Sequence, residues 1–314
     1  MPLLSVLLVI TIQEKAHALD EFLNSLMKQT CYPQEVIIVG ENLTTSAWAS
    51  IHKIKKELPV KLKAIPSSMA GFQCINGVIG RTNHSTIAIA DADCILDSQW
   101  LHKITAPFEM SEVDMVLGRY IPDAENSWQR CVAGLTVAQT PYLNKFNPSK
   151  YSLALSREAW KNIGGFSKLP WCEEGAYLDL ALGRKGSVFA LAPDAIVFCK
   201  QPKNILGVCK QVYRNAKAAG LRFYNKKVYL KSIIRCLICT ALLIITLIKS
   251  YYWLIAVLFL LVMIATIKGA KQKIPYFSWE VWCWAPWVTP VVEASRAIGY
   301  FWGVVCRFTS GWKN

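Results

Sequence analysis

The sequence predicts an α/β protein in which helices flank a mostly parallel sheet and membrane helices follow at the C-terminal end. Three observations lead to this prediction. Short apolar runs alternate with segments of helical spacing over the first two thirds of the chain. One of these runs, residues 85–93, ends in two carboxylates. The last third contains long apolar runs, and 53% of the 314 residues are hydrophobic, which is high for a purely soluble protein.

The N-terminal part of the chain alternates between strand and helix patterns. The predicted elements are a strand at 3–10, a helix at 18–27, a strand at 35–39, a helix from about 45 to 58, a strand at 60–65 and a helix at 71–80. The first run lacks the charged start and the small-residue cleavage site of a signal peptide, so we interpret it as a buried strand. The alternation predicts parallel strands joined by right-handed crossovers.

Residues 85–93 contain the central strand of the predicted sheet. Uncharged, mostly apolar residues on both faces suit a strand that is buried on both sides. Asp91 and Asp93 then emerge at its carboxyl end, where open α/β sheets bind ligands. Two carboxylates one residue apart suit a hard divalent cation that also binds phosphate oxygens. The alternative is a solvated turn, because Asp is common in turns.

Beyond the central strand the pattern continues less regularly. The predicted elements are a helix from Asp97 to Phe108, strands at 113–120 and 152–156, a helical turn at 157–162, a helix at 173–185, and strands at 187–191 and 195–199. Gly164-Gly165-Phe166 predicts a tight backbone turn. The pattern weakens between Pro122 and Lys150, a stretch that has room for an insertion but whose sequence identifies no ligand.

Two apolar runs near the C-terminal end, residues 233–248 and 251–267, are separated by only two residues. Each is slightly shorter than the ~20 residues that a full membrane span needs. We therefore predict a tight helical hairpin that enters or crosses a thin bilayer. The alternative is one long kinked helix in a soluble core, but such a helix should carry a polar stripe.

A Trp-rich segment, at about residues 279–306, follows the predicted hairpin. It fits an interfacial or partly inserted helix better than a third membrane span, because tryptophans favour the headgroup layer. The hairpin as a whole covers residues 233–267. We accordingly predict a catalytic domain at 1–228 and a membrane-anchoring region at 229–314.

Charge and cysteine content restrict the partners and the compartment. Residues 1–225 hold 24 Lys/Arg against 19 Asp/Glu, whereas residues 226–314 hold 11 against 2. Basic residues beside apolar runs favour an anionic membrane surface, and no nucleic-acid partner is predicted. The eleven cysteines lack zinc-cluster spacing and are interpreted as reduced. We predict a location in the inner (cytoplasmic) membrane, with the catalytic domain facing the cytoplasm.

Six short motifs occur in the order found in a known family. They are Ser5–Leu8, Gln29–Val39, Asn76 fifteen residues before Asp91, Asp91–Cys94 with Trp100-Leu101, Ser156–Trp160 leading to Gly164–Phe166 and Glu173-Glu174, and Gln211–Arg214. From Ser5 to about Gly220, the chain therefore resembles the family 2 glycosyltransferases of the GT-A fold, in particular the bacterial membrane-anchored members.

The resemblance implies a hexosyltransferase-like enzyme of polysaccharide biosynthesis. It would move a sugar from a nucleotide-sugar donor to a lipid-linked, polysaccharide or other membrane-proximal acceptor, with inversion. The implied metal ligands are Asp91 and Asp93, holding Mg²⁺ or Mn²⁺, and the implied catalytic residues are the general base Glu174 and its neighbour Glu173. The implied donor-binding residues are Glu41, Asn76, Asp91, Gln211 and Arg214.

Two departures from the family pattern leave the nucleotide open. Val9 stands where a proline is usual in the family, and Gly40-Glu41-Asn42 stands where an Asp-Asp or Asp-Asn pair is usual. A catalytically inactive, membrane-tethered binding protein of the same fold is the alternative function. A nucleotidyltransferase would need a glycine-rich phosphate loop after the first strand, and residues 10–18 contain no glycine.

Overall fold

The computed structural model describes residues 6–12, 19–40, 43–66, 72–136, 152–166, 186–224, 226–249, 257 and 280–309. The chain forms two compact units, of which the first comprises Met1–Asp123 with Pro148–Lys200 and the second Ala124–Asn147 with Gln201–Asn314. The predicted functional boundary between residues 228 and 229 falls inside the second unit. That division of function stays a prediction.

The first unit contains all strands of the part of the chain that is described. They are β1 (Val6–Ile12), β2 (Glu35–Gly40), β3 (Lys61–Pro66), β4 (Thr86–Asp91), β5 (Cys94–Leu96), β6 (Met115–Asp123), β7 (Ser152–Ser156) and β8 (Phe189–Lys200). Its helices are α1 (Leu19–Met27), α2 (Thr45–Glu57), α3 (Phe72–Gly80), α4 (Trp100–Thr105), α5 (Pro107–Met110) and α7 (Arg157–Asn162).

Within the described residues these strands form one eight-stranded sheet in the order β3-β2-β1-β4-β7-β6-β8-β5. The first four strands are parallel, as predicted. The other half is mixed, because β7 runs antiparallel to both β4 and β6, and β5 runs antiparallel to β8. The α/β class is therefore confirmed, with a mixed rather than a mostly parallel second half.

The core explains why β4 lies at the centre of the sheet. All six of its residues are buried, and so are all six of β2. Side chains of α1, α2 and α4 pack against the sheet, among them the fully buried Phe22 and Trp100. Burial of large apolar side chains of this kind contributes about 1.5–3 kcal/mol each.

Strand β8 corrects the prediction of two separate strands at 187–191 and 195–199. It is one strand, and its pairing with β6 shifts register between Gly118 and Arg119, where Gly118 faces Ala192 but Arg119 faces Ile196. Pro193, which lacks a backbone N–H, and the charged Asp194 lie in this irregularity. A bulge therefore interrupts the sequence pattern without ending the strand.

Cys94 of β5 and Cys199 of β8 face each other across an antiparallel pair and are joined by a disulfide. The prediction of reduced cysteines is therefore wrong for this pair. Sequence spacing does not reveal the pairing, because 105 residues separate the two cysteines. Both side chains are buried, at 0% and 5% exposed.

A charged cluster surrounds Glu35 at the amino end of β2. The Glu35 carboxylate lies 2.8 Å from Lys63 Nζ, 3.1 Å from His84 Nε2 and 3.7 Å from Lys61 Nζ. Burial alone raises the pKa of Glu35, but hydrogen bonds from Lys63 and His84 and the charges of the two lysines outweigh it. The pKa of Glu35 is consequently lowered from its ordinary value.

The second unit is helical in its described parts. It consists of α6 (Ser127–Thr136), α8 (Ile205–Leu221), α9 (Lys226–Lys249) and α10 (Glu280–Thr309). Helix α6 lies where the sequence pattern was too weak to predict an element. A small apolar core joins α6, α8 and α10, and its buried members are Cys131, Val132, Val208, Val212, Ala285, Val288 and Val292.

Helix α10 covers the predicted Trp-rich segment, and one of its faces packs within this unit. Trp284 stacks edge-on against Trp128 of α6, with ring centroids 5.5 Å apart, and donates its Nε1–H to Ser127 Oγ. Another face of α10 is exposed and aromatic, with Trp287 and Phe301 each more than 60% exposed. Placement of that face at a membrane interface stays a prediction, and Trp279 lies outside the described residues.

Helix α9 provides the apolar segment expected for membrane anchoring. Among the described residues, it is the one helix long and apolar enough to span a bilayer, over Lys226–Thr246 with a mean hydropathy of 2.1. Only 6% of its apolar window is buried, unlike the core helix of a soluble protein. Apart from residue 257, the second run of the predicted hairpin, 251–267, lies outside the described part of the chain.

An ion-pair group links α9 to α10. Arg235 lies 2.9 Å from the Glu293 carboxylate, and Arg296 lies 3.2 Å from its other oxygen. Arg296 also donates to the Leu135 carbonyl of α6, at 2.7 Å. The Glu293 carboxylate thus pairs with two guanidinium groups, and the Leu135 carbonyl accepts a further hydrogen bond from one of them.

Candidate active site

The carboxyl end of β4 places the two predicted metal ligands on one turn. Asp91 is the last residue of β4 and pairs with Thr11 of β1, and its side chain is only 5% exposed. Asp93 is exposed, and its backbone N–H donates to Asp91 Oδ1 at 3.2 Å. This turn is typical of Asp and holds the Asp91 carboxylate at the edge of the sheet.

Helix α1 supports the chain that follows these aspartates. Ser25 Oγ accepts the Leu96 N–H at 3.1 Å. The buried Gln29 donates to the Asp97 carbonyl at 2.7 Å and accepts the Leu101 N–H at 3.0 Å. The sequence predicted no contact for either side chain, because their partners are backbone groups about 70 residues away.

The donor set of this turn fits a divalent ion that is shared with a diphosphate. Within the described residues, no three His, Cys, Asp or Glu side chains gather into a metal-binding group. Mg²⁺, however, commonly takes only one or two protein carboxylates and completes its shell with water and substrate phosphate oxygens. Asp91 and Asp93 supply two carboxylates of the required kind from a single turn.

Asn76, a predicted donor-binding residue, is engaged by the glycine turn after α7. Its Oδ1 accepts the Phe166 N–H at 2.9 Å and the Trp160 Nε1–H at 3.0 Å, and its Nδ2 donates to the Phe166 carbonyl at 2.8 Å. Three of the four hydrogen-bonding positions of the carboxamide are thus occupied. The role of Asn76 toward a donor stays a prediction.

The turn that Asn76 holds requires glycine. Gly164 and Gly165 have φ of +72° and +88°, and their N–H groups bond to the Lys161 and Trp160 carbonyls in the Schellman pattern that ends α7. A Cβ on Gly165 would lie 3.1 Å from Asn76 Oδ1. The predicted turn at 164–166 is therefore confirmed, and a close approach of Asn76 accounts for its second glycine.

Arg157 connects α3, the helix that carries Asn76, to β4, the strand that carries Asp91. Its guanidinium donates to the Ile79 carbonyl at 2.9 Å and to Thr82 Oγ1 at 2.7 Å, at the C-terminal end of α3. Its backbone N–H bonds to the Ser85 carbonyl, next to the start of β4. Asn76 and Arg157 together fix α3 and the glycine turn to the central strand.

Gln211 and Arg214 lie on α8, in the second unit. Three residues apart on a helix, they share one face, with Gln211 half-buried and Arg214 exposed. Val208 and Val212 of the same helix are buried in the α6–α8–α10 core. Helix α8 thus presents a polar pair from a firmly packed segment.

Three predicted site residues lie outside the described part of the chain. They are Glu41, Glu173 and Glu174. Glu41 directly follows Gly40, the last residue of β2, and Gly40 aligns with Ile12 at the carboxyl end of β1. A Cβ on Gly40 would lie 2.6 Å from Leu43 Cγ, so a larger residue at this position would require the Leu43 side chain to shift.

The parallel strands are those that the alternating sequence pattern predicted, and the aspartates at the end of β4 and the glycine turn belong to the six motifs. Residues 2–218 match the model of Glycosyltransferase like family 2. The chain belongs to this family. Its recognition as a family 2 glycosyltransferase of GT-A-like fold is therefore confirmed, and so is its class as a glycosyltransferase.

One curated relative and one solved structure resemble this glycosyltransferase at low sequence identity. An uncharacterized glycosyltransferase of Haemophilus influenzae is 24% identical over 203 residues, which cover 62% of this chain and 75% of the relative. The mannosyltransferase PcManGT from Pyrobaculum calidifontis, solved with GDP-Man and Mn²⁺, is 16% identical with a TM-score of 0.57, over 95% of this chain and 87% of that one. At this identity the likeness shows the fold alone.

A second solved structure, S. aureus TarS, is 14% identical with a TM-score of 0.48. The match covers 68% of this chain and 39% of the TarS chain. It adds no argument about the site of this glycosyltransferase.

Proposed function

We propose that this glycosyltransferase moves a sugar from a nucleotide-sugar donor to a lipid-linked, polysaccharide or other membrane-proximal acceptor, with inversion of the anomeric centre. The observation that carries the proposal is the buried Asp91 at the carboxyl end of β4, bonded to the exposed Asp93 on the same turn. Ligands of open α/β sheets bind at this edge.

On the donor side, Asp91 and Asp93 would hold Mg²⁺ or Mn²⁺ against the diphosphate. The ion would neutralise the charge that develops on the leaving group. The Arg214 guanidinium would donate hydrogen bonds to the same phosphates, with Gln211 beside it on α8. The structural relative solved with GDP-Man and Mn²⁺ supports this choice of ion and donor class.

On the acceptor side, Glu174 would accept the proton of the attacking hydroxyl, and Glu173 would orient Glu174 or the acceptor. Glu41 and Asn76 would complete the donor contacts. A single displacement of the diphosphate by the acceptor oxygen then inverts the anomeric carbon.

Membrane attachment is the second part of the proposal. Helix α9 is apolar, and the exposed Lys226, Lys227 and Lys231 lie at its start. Lysines at this position favour the anionic cytoplasmic leaflet. We therefore place the catalytic domain on the cytoplasmic side of the inner membrane, acting in polysaccharide assembly.

The experiment uses the full chain in detergent with a panel of nucleotide sugars. Release of free nucleotide is measured with Mn²⁺, with Mg²⁺ and with excess chelator. Asp93→Ala should abolish release, whereas the control Asp97→Asn should retain it, since Asp97 caps a nearby turn by bonding the Gln99 N–H. Full activity of Asp93→Ala or in chelator would exclude the metal role. Donor binding without turnover would support the inactive binding protein.

A further inference from the structure

Helices α8 and α10 touch through their backbones. Gly299 and Gly303 of α10 form a G-x-x-x-G pair, and both are buried against α8. A Cβ on Gly299 would lie 2.6 Å from the Tyr213 carbonyl oxygen and 3.0 Å from Ala216 Cβ. A Cβ on Gly303 would collide with the Lys217 carbonyl. Apart from the Ala216 methyl group, the atoms that meet at these points belong to the two backbones.

The α8 side of this crossing also has a glycine. A Cβ on Gly220 would lie 3.1 Å from Gly303 Cα and would collide with the Tyr300 carbonyl. Glycines on both helices permit the closest approach that two helices can make. The contact therefore fixes the separation of α8 and α10 and leaves α8 little freedom to rotate.

The polar pair of α8 depends on this fixed orientation. Tyr213, whose backbone touches Gly299, lies between Gln211 and Arg214 in the chain. Both side chains project from the same helix, on nearly the same side of its axis. A small rotation of α8 about that axis therefore redirects both of them. Nearer the helix start, Val208 and Val212 share one buried apolar cluster with Val288 and Val292 of α10. Helix α10 thus supports α8 on both sides of the polar pair.

We propose that Gly299 and Gly303 are positioning residues for donor binding, and that α10 sets the orientation of α8 and thereby the aim of Arg214 at the donor diphosphate. This inference rests on the proposed function of Arg214. It makes the C-terminal helix part of the donor-binding machinery, in addition to any role in anchoring.

Nucleotide binding to the full chain in detergent tests the inference, with UDP and GDP as probes, each with Mn²⁺. Gly299→Ala should weaken binding of the preferred nucleotide by about tenfold, because α8 must move away from the added methyl group. The control is Ile298→Ala, an adjacent change on the exposed face of α10. It should leave the affinity within about twofold.

A double-mutant cycle separates positioning from simple destabilisation. In an Arg214→Ala background, Gly299→Ala should weaken nucleotide binding by less than about twofold, since the group that it misdirects is already absent. Equal losses in both backgrounds, or a lower melting temperature with unchanged affinity, would overturn the inference.

Two further outcomes complete the test. If Arg214→Ala bound nucleotide as tightly as the wild type, both the proposed role of Arg214 and this inference would be overturned. If Arg214→Ala weakened binding but the losses from Arg214→Ala and Gly299→Ala simply added, only the inference would be overturned. If Gly299→Ala does not fold, Ala216→Ser enlarges the α8 side of the same contact by one atom, and the same cycle is measured with it.

Discussion

The pairing of Asn76 with the glycine turn leads to a prediction about stability. Asn76→Ala removes three hydrogen bonds, two to the Phe166 backbone and one to Trp160 Nε1. At about 1 kcal/mol for each bond, the expected loss is about 3 kcal/mol. Trp160→Phe removes the third bond and part of a half-buried ring but keeps both Phe166 bonds, so its hydrogen-bond loss is about 1 kcal/mol and it serves as the comparison.

Thermal unfolding of the purified protein measures this difference. For a unit of roughly 150–250 residues, 1 kcal/mol shifts the melting temperature by about 2–4 °C. We therefore expect a decrease of about 6–12 °C for Asn76→Ala and about 2–4 °C for Trp160→Phe. A decrease for Asn76→Ala no larger than that for Trp160→Phe would refute the reasoning. Nucleotide affinity of Asn76→Ala, measured well below its melting temperature, tests the separate prediction that Asn76 binds the donor.

Two further predictions concern carboxylates. Glu174→Gln should preserve donor affinity and lower the rate of transfer by about 10²–10⁴-fold, because an amide cannot take the proton from the acceptor hydroxyl. Glu173→Gln should lower the rate less. If steady-state kinetics showed a larger loss for Glu173→Gln, the assignment within the pair would be reversed. The pKa of Glu35 is lower in the folded protein than in the unfolded chain, where it is ~4.3. The ionised Glu35 therefore stabilises the fold above pH ~4.3, and this stabilisation is lost as the pH falls through the pKa of the folded state. Melting temperatures between pH 3 and pH 7 should therefore fall less steeply for Glu35→Gln than for the wild type, and parallel curves would show that the cluster contributes nothing to acid sensitivity.

Local sequence patterns predicted the elements whose residues are all buried alike or whose backbone conformation restricts the residue type. Strand β4 is buried on both faces, so its sequence is apolar throughout and identifies it without knowledge of its neighbours. The turn at Gly164–Phe166 was predictable for a related reason, since positive φ restricts the residue type locally. Helix α3 and the short helix α7 also follow from local spacing.

Long-range contacts explain what the sequence did not predict. Gln29 bonds backbone groups of the β5–α4 turn, and Cys94 bonds Cys199, so neither role leaves a local pattern. Strand β8 was divided in two because its bulge holds Pro193 and Asp194.

The G-x-x-x-G pair of α10 was the missed signal that the sequence did contain. Its four-residue spacing places both glycines on one helix face, which is a known pattern of close helix packing. The dense tryptophans of the same segment favoured an interfacial interpretation instead. In the structure, Trp284 packs against Trp128 while Trp287 faces outward, so one helix contains both environments.

The chain passes between its two compact units three times, after Asp123, Asn147 and Lys200. A single proteolytic cut therefore cannot separate the two units, because a cut after Lys200 leaves residues 124–147 of the second unit within the fragment that contains the first. A chimaera that exchanged only the C-terminal segment with a relative would leave Cys131 and Val132 of α6 facing foreign helices instead of Val288 and Val292. Recombination that preserves the fold must exchange the internal segment and the tail together, so the two are expected to be inherited as a single module.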